Sequence, residues 1–118
     1  LSSGTLSARK YLWVQAYVKG TGAITNRMRF NNDTGSNYAR RGSYNGGSDG
    51  TQTSQSSLNM DGGVDEKYFF HNIFIINNAS NEKLCICHTT MDTETGAGTA
   101  FNRYEQVFKC ANTSNQIT

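Results

Sequence analysis

The chain has 118 residues, enough for one domain with one core. Charged residues make up 17%, aromatics 11%, the formal net charge is +2 and the mean hydropathy is −0.61, so the polarity comes from Asn, Ser, Thr, Gln and Gly rather than from ions. That balance excludes an intrinsically disordered chain, which needs few aromatics and high net charge. Nothing approaches 18 consecutive apolar residues, which excludes a helical membrane span, and no membrane insertion is expected.

Twelve Gly and no Pro favour strands joined by tight turns. The opening LSSGTLSARK has neither a signal-peptide pattern nor an initiating Met, so residues 1–118 are expected to form a single domain within a processed or longer chain. Residues 9–18 (RKYLWVQAYV) alternate, with Leu12, Val14, Ala16 and Val18 on one side and Tyr11, Trp13, Gln15 and Tyr17 on the other. Residues 26–30 read as a second strand, Met28 and Phe30 inward and Arg27 and Arg29 outward. The turn-rich residues 31–37 (NNDTGSN) lead to a partner strand at 38–41, which together predict a β-hairpin with a long structured loop.

Residues 42–63 form a low-complexity polar stretch with one modest strand at 53–58. The strongest core signal is residues 67–77 (KYFFHNIFIIN), apolar at both parities and therefore expected in a central strand buried on much of both faces. Shorter strands are expected at 82–88, 103–111 and 114–118, the last ending near Ile117 as a strand cut short. Seven or eight short strands without a convincing helix predict an all-β, antiparallel two-sheet β-sandwich of jelly-roll type. No internal repeat at a fixed period points to a propeller or solenoid.

Catalysis needs convergent acid, base or nucleophile groups. The only histidines are His71, within the most apolar strand and expected to be structural, and His88. No nucleophile elbow, zinc-protease helix or phosphate-binding loop occurs, and the acid pairs Asp65–Glu66 and Asp92 with Glu94 sit in loops. A non-enzymatic chain without cofactor is expected. Cys85-x-Cys87 places two sulfurs on one strand face, with Cys110 on a neighbouring strand; with His71 they would make four soft ligands. Buried free thiols, or one cross-strand disulfide to Cys110, explain the pattern better than a metal. Asp- and Asn-rich loops at 31–37, 45–50 and 61–66 lack the spacing of a calcium loop and read as self-capping turns.

Arg9-Lys10, Arg27 with Arg29, and Arg40-Arg41 offer a basic stripe, yet the sequence pI of about 8.5 falls short of a nucleic-acid-binding domain, so no nucleic-acid partner is expected. Trp13 and Tyr17 flank Gln15 on one strand face, and Tyr44 opens the polar stretch. Aromatic faces beside amides suit sugars, protein interfaces, or coverage of a second sheet alike. The three glycosylation sequons, at Asn32, Asn78 and Asn112, are what chance gives in so Asn- and Ser/Thr-rich a chain.

The segment Arg29-Phe30-Asn31-Asn32-Asp33-Thr34-Gly35-Ser36-Asn37-Tyr38-Ala39-Arg40-Arg41, following Lys10–Tyr17 (KYLWVQAY), resembles a module of bacteriophage and related viral structural proteins, particularly tail-fibre and appendage domains. Residues 111–118 (ANTSNQIT) are similar to its closing strand, so the resemblance runs through most of the chain in order; Cys110 departs from the aromatic expected there. The resemblance implies a jelly-roll-like sandwich on the virion surface, repeated by homo-oligomerisation, contacting other virion proteins and used for host attachment or capsid decoration, with a host surface glycan as a further partner. Asp33, Gly35 and Asn37 are expected first as loop-formers, Asp33 and Asn37 bonding loop amides and Gly35 taking φ > 0. Two other readings stand beside this one: a carbohydrate-binding module or cell-surface adhesin using Trp13, Tyr17 and Tyr44, and a subunit of an extracellular filament in which exposed strands pair.

Overall fold

In a computed structural model, which describes residues 2, 4–61, 66–92 and 96–118, the chain is all-β, with eight strands and no helix among the described residues. They are β1 (Tyr11–Ile24), β2 (Arg27–Met28), β3 (Tyr38–Tyr44), β4 (Gly50–Gln55), β5 (Leu58–Asn59), β6 (Glu66–Ile76), β7 (Lys83–Asp92) and β8 (Asn102–Cys110). Six form one antiparallel sheet in the order β1-β6-β7-β8-β3-β4; β2 and β5 form a small second sheet. The molecule measures 47 × 30 × 21 Å, its shortest axis two layers deep. It is a sandwich with unequal layers.

The inner face of the large sheet carries one parity of every strand. Phe69, His71, Ile73 and Ile75 of β6 stand beside Cys85, Cys87, Thr89 and Met91 of β7 and Tyr104, Gln106, Phe108 and Cys110 of β8, all buried. The small sheet and its flanks press Met28, Phe30, Leu58 and Met60 onto the middle of this face. A second cluster, Phe69, Met91 and Tyr104 with Val18 and Ile24, closes the other end. Gly42 of β3 sits opposite Gln106, where an added Cβ would lie 2.4 Å from the Gln106 Cβ, so only glycine lets β3 and β8 approach at that row.

Several expectations are corrected. Residues 26–30 and 38–41 do not form a hairpin: β2 pairs with β5, while β3 pairs with β4 and β8. The intervening turn carries the chain from the small sheet to the large one. Strand β6 is second from the edge and buried on one face only, its other parity, Phe70, Phe74 and Ile76, being 40–49% exposed. Residues 114–118 form no strand. Buried Ile117 is instead fixed by Asn77, whose Oδ1 accepts from Ile117 N (2.7 Å) and whose Nδ2 donates to Ile117 O (3.0 Å) and Arg9 O (2.9 Å). A side-chain amide here supplies the pairing that a strand would have made.

His71 is fully buried, with Nδ1 2.8 Å from Thr89 Oγ1. The Thr89 hydroxyl spends its own proton on Met60 O (3.0 Å), so it accepts from His71 Nδ1–H, leaving Nε2 unprotonated in an apolar setting. Cys85, Cys87 and Cys110 share this inner face, all buried and all free, so the disulfide option is not taken up and the sulfurs pack as small apolar groups. Among the described residues no three His, Cys, Asp or Glu side chains converge as a metal-ligand set. Asp65 and Glu94, the partners assigned to Glu66 and Asp92, lie outside the described residues, as does most of the 61–66 loop.

Burial pushes the His71 pKa down to about 4, below its ordinary value of 6.5. The unfolded chain therefore binds the proton first as pH falls. Stability is complete above pH 6.5 and drops between pH 6.5 and 4 by on the order of 3 kcal/mol. Urea unfolding across that range will show the decline, and the His71 ring resonances will titrate near pH 4; a flat profile with His71 titrating near 6.5 contradicts the buried neutral ring. Burial also pushes the thiols up, Cys85 to about 12 and Cys87 to about 11. A thiol-specific reagent at pH 8 will find all three cysteines slow in the folded chain and fast in urea.

Candidate functional site

The other parity of the large sheet faces outward, and its register lays the side chains in rows. One row runs Tyr11, Ile76, Leu84, Lys109, Ala39; the next runs Trp13, Phe74, Ile86, Val107, Arg41, Thr51. The third is polar: Gln15, Asn72, His88, Glu105, Ser43. The fourth runs Tyr17, Phe70, Thr90, Arg103. The outer face is thus divided across its strands into an apolar half and a more polar half, in which Tyr17 and Phe70 stand apart beyond the polar third row.

The apolar half stays open to solvent. Tyr11, Trp13, Phe74, Ile76, Leu84, Ile86 and Val107 are 43–65% exposed, and all of them but Trp13 line a groove of about 830 Å³ with β3 and β4 forming its far wall. Trp13 lies flat on Phe74, ring centroids 5.6 Å apart and planes 7° from parallel, and donates its indole N–H to Asn72 Oδ1. The charges at the boundary are satisfied within the chain: Lys109 Nζ is 3.2 Å from Glu82 and Arg41 Nη1 is 3.6 Å from Asp49. Such exposed pairs add little stability, yet they keep the rim hydrated and the centre uncharged.

Trp13 and Tyr17 share this outer face, about 13 Å apart along β1 with Gln15 between them. Tyr44 does not join them. It ends β3 opposite inward-facing Tyr104, on the other parity and four strands away, next to Asn45 and Glu66. The basic residues do not form a stripe either. Arg40 points inward, donating to Gln52 Oε1 (2.8 Å) and the Tyr104 hydroxyl; Arg29 donates to Ser56 O (2.9 Å); Arg41 faces outward.

The loop residues do meet. Asp33 Oδ1 accepts from Gly35 N (2.8 Å), and Oδ2 accepts from Asn37 Nδ2 (2.9 Å) and Asn112 Nδ2 (3.0 Å). These three donors, Asn112 first, hold the Asp33 carboxyl below its ordinary pKa. The left-handed residues of the turn are Asn31 (φ 48°) and Asn32 (φ 59°), not Gly35 as expected. A Cβ at Gly35 would lie 2.8 Å from Asn37 Nδ2, so a side chain there would have to displace the amide that bonds Asp33. Asn31 in turn donates to Gln116 O (2.7 Å), so the loop grips the C-terminal segment.

Phe74, Ile76, Leu84, Ile86 and Val107 were not singled out from sequence as surface residues. The signal was partly present: β6 is apolar at both parities, more than one core face can use, and Leu84 and Ile86 add apolar residues on the outward parity of β7. A comparison with protein-family models, curated proteins and solved structures finds no match to this chain.

Replacing Asp33 by Ala removes the acceptor shared by the turn and the C-terminal segment and will cost about 1–2 kcal/mol in urea unfolding at pH 7. Asp33→Asn will recover less than half of that, because its amide nitrogen confronts donors from Asn37 and Asn112. Both variants will also lose the part of the acid sensitivity that the wild type shows below pH 3.8, where protonating Asp33 weakens the native loop. An Asp33→Asn variant as stable as wild type contradicts the three-donor account.

Proposed function

We propose that this chain is a non-enzymatic structural domain of a virion, a tail-fibre, spike or capsid-decorating module, that serves assembly and host attachment as a homo-oligomer on the particle surface. The observation that carries the reading is the contiguous, solvent-facing apolar half of the large sheet. Monomeric soluble proteins rarely expose a patch of this extent, which marks a surface made to be covered. The resemblance of Arg29–Arg41 and Lys10–Tyr17 to viral appendage modules supports it. So does the loop built by Asp33, which fastens the turn without needing a ligand.

A second reading, a carbohydrate-binding module or adhesin, is favoured by one arrangement. Trp13 and Tyr17, 62% and 69% exposed, flank the amide row Gln15 and Asn72 on an open face. The two readings separate in solution. Absolute mass by light scattering from micromolar to millimolar concentration, with and without reductant, will give a discrete multiple of 13.0 kDa independent of thiols. A monomer throughout contradicts the assembly reading. An open-ended mass distribution indicates a filament, through pairing of the edge strand β1. If the second reading holds, oligosaccharide binding will be lost in Tyr17→Ala with the mass unchanged, since Tyr17 lies outside the apolar half.

A further inference from the structure

We infer that the apolar half of the outer face is closed by the same half of a second copy of this chain, sheet on sheet, so that the sandwich is completed between protomers. The inference rests on the assembly reading above and names its partner. Three features of the face argue for a copy of the chain.

The first is area. The exposed fractions of Tyr11, Trp13, Phe74, Ile76, Leu84, Ile86 and Val107 amount to roughly 800 Å², the share that one partner brings to an interface of standard size. Its composition is also that of an interface centre, aromatic and aliphatic with charges at the edge. The second is charge. Lys109 and Arg41 border the patch, and each is already paired, with Glu82 and Asp49. Bringing two copies together therefore buries no lone charge, and each copy meets a neutral surface. An anionic or cationic partner would find no free counter-charge among these rim residues.

The third is shape. A sheet with right-handed twist is saddle-shaped, and a saddle is complementary to its own copy turned over by a two-fold axis lying between them. The twist that makes the groove concave along one diagonal makes it convex along the other. The inner face is already covered by β2, β5 and their flanks, so the outer face is the one left to pack. An isologous contact requires the same patch on both sides. Ile86 lies mid-row between Phe74 and Val107, which places it near the axis and opposite its own copy.

Ile86 is 53% exposed, so a charged residue there leaves the protomer's core intact. The test compares wild type, Ile86→Lys, Ile86→Glu and an equimolar mixture of the two variants by native mass spectrometry and light scattering. Urea unfolding checks that each is folded, and Thr90→Lys in the polar half is the control. The wild type and the control are expected as dimers or even multiples of 13.0 kDa. Each Ile86 variant alone is expected to be a folded monomer, weakened about 100-fold or more by burying like charges at the axis, and the mixture to recover the dimer.

A wild-type assembly that survives both substitutions, or that is an odd-numbered ring, overturns the face-to-face contact while leaving the assembly reading standing. A mixture that stays monomeric overturns the two-fold geometry. A wild type that is monomeric throughout overturns both.

Discussion

The two-residue alternation of the large sheet is the constraint from which the rest of the molecule follows. Each strand from β6 to β8 must place one set of side chains inside and the other outside, and the inner sets are continuous across the sheet: Ile73 beside Cys87 beside Gln106, Ile75 beside Cys85 beside Phe108. A slip of one residue in any of these strands would expose a core row and bury Lys109 or Glu105. Register is therefore fixed by burial. What the alternation does not supply is a second large sheet, because β2 and β5 have only two residues each.

The small layer is held by polar clamps rather than by strand ladders. Asp61 accepts from the Asn26 backbone, the Met60 carbonyl takes hydrogen bonds from Thr89 and Gln106, and Asn77 ties the end of the chain to the start of β1. Even Lys83, almost wholly buried, spends its ammonium on the carbonyls of Asn81 and Asn112. A composition heavy in Asn, Ser and Thr and light in charge is what such a construction requires, since neutral amides satisfy buried backbone at lower desolvation cost than ions.

This division also explains what could be read in advance. Strands with clean alternation were legible: residues 11–18, the Cys85–Cys87 parity and the β8 segment fall where their patterns place them, and the all-β class follows from them. The partner of β2 was not legible, because two-residue strands carry no period and the hairpin-like turn at 31–37 joins layers instead. Ile117 read as the end of a strand because its burial is real. Its fixing by Asn77, 40 residues away, has no local signature. At the candidate site, Trp13 and Tyr17 were visible as outward aromatics. Residues 67–77 alone read as doubly buried, because sequence tells that a face is apolar but not what covers it, and the outward Leu84, Ile86 and Val107 of β7 and β8 carry no signal that sets them apart.

That uncovered face joins structure to function in the present account. The proposed assembly and the proposed face-to-face contact both start from one observation: the protomer leaves an apolar half of its large sheet uncovered. Trp13, the single tryptophan, reports on this directly, as it lies on Phe74 at the edge of the apolar half and is 62% exposed in one protomer. The most direct measurement is its emission and acrylamide quenching across a dilution series. The account predicts a solvent-exposed, readily quenched indole at the lowest concentrations, shifting to the blue and becoming protected as concentration rises. An indole that stays exposed and equally quenched at every concentration would contradict it.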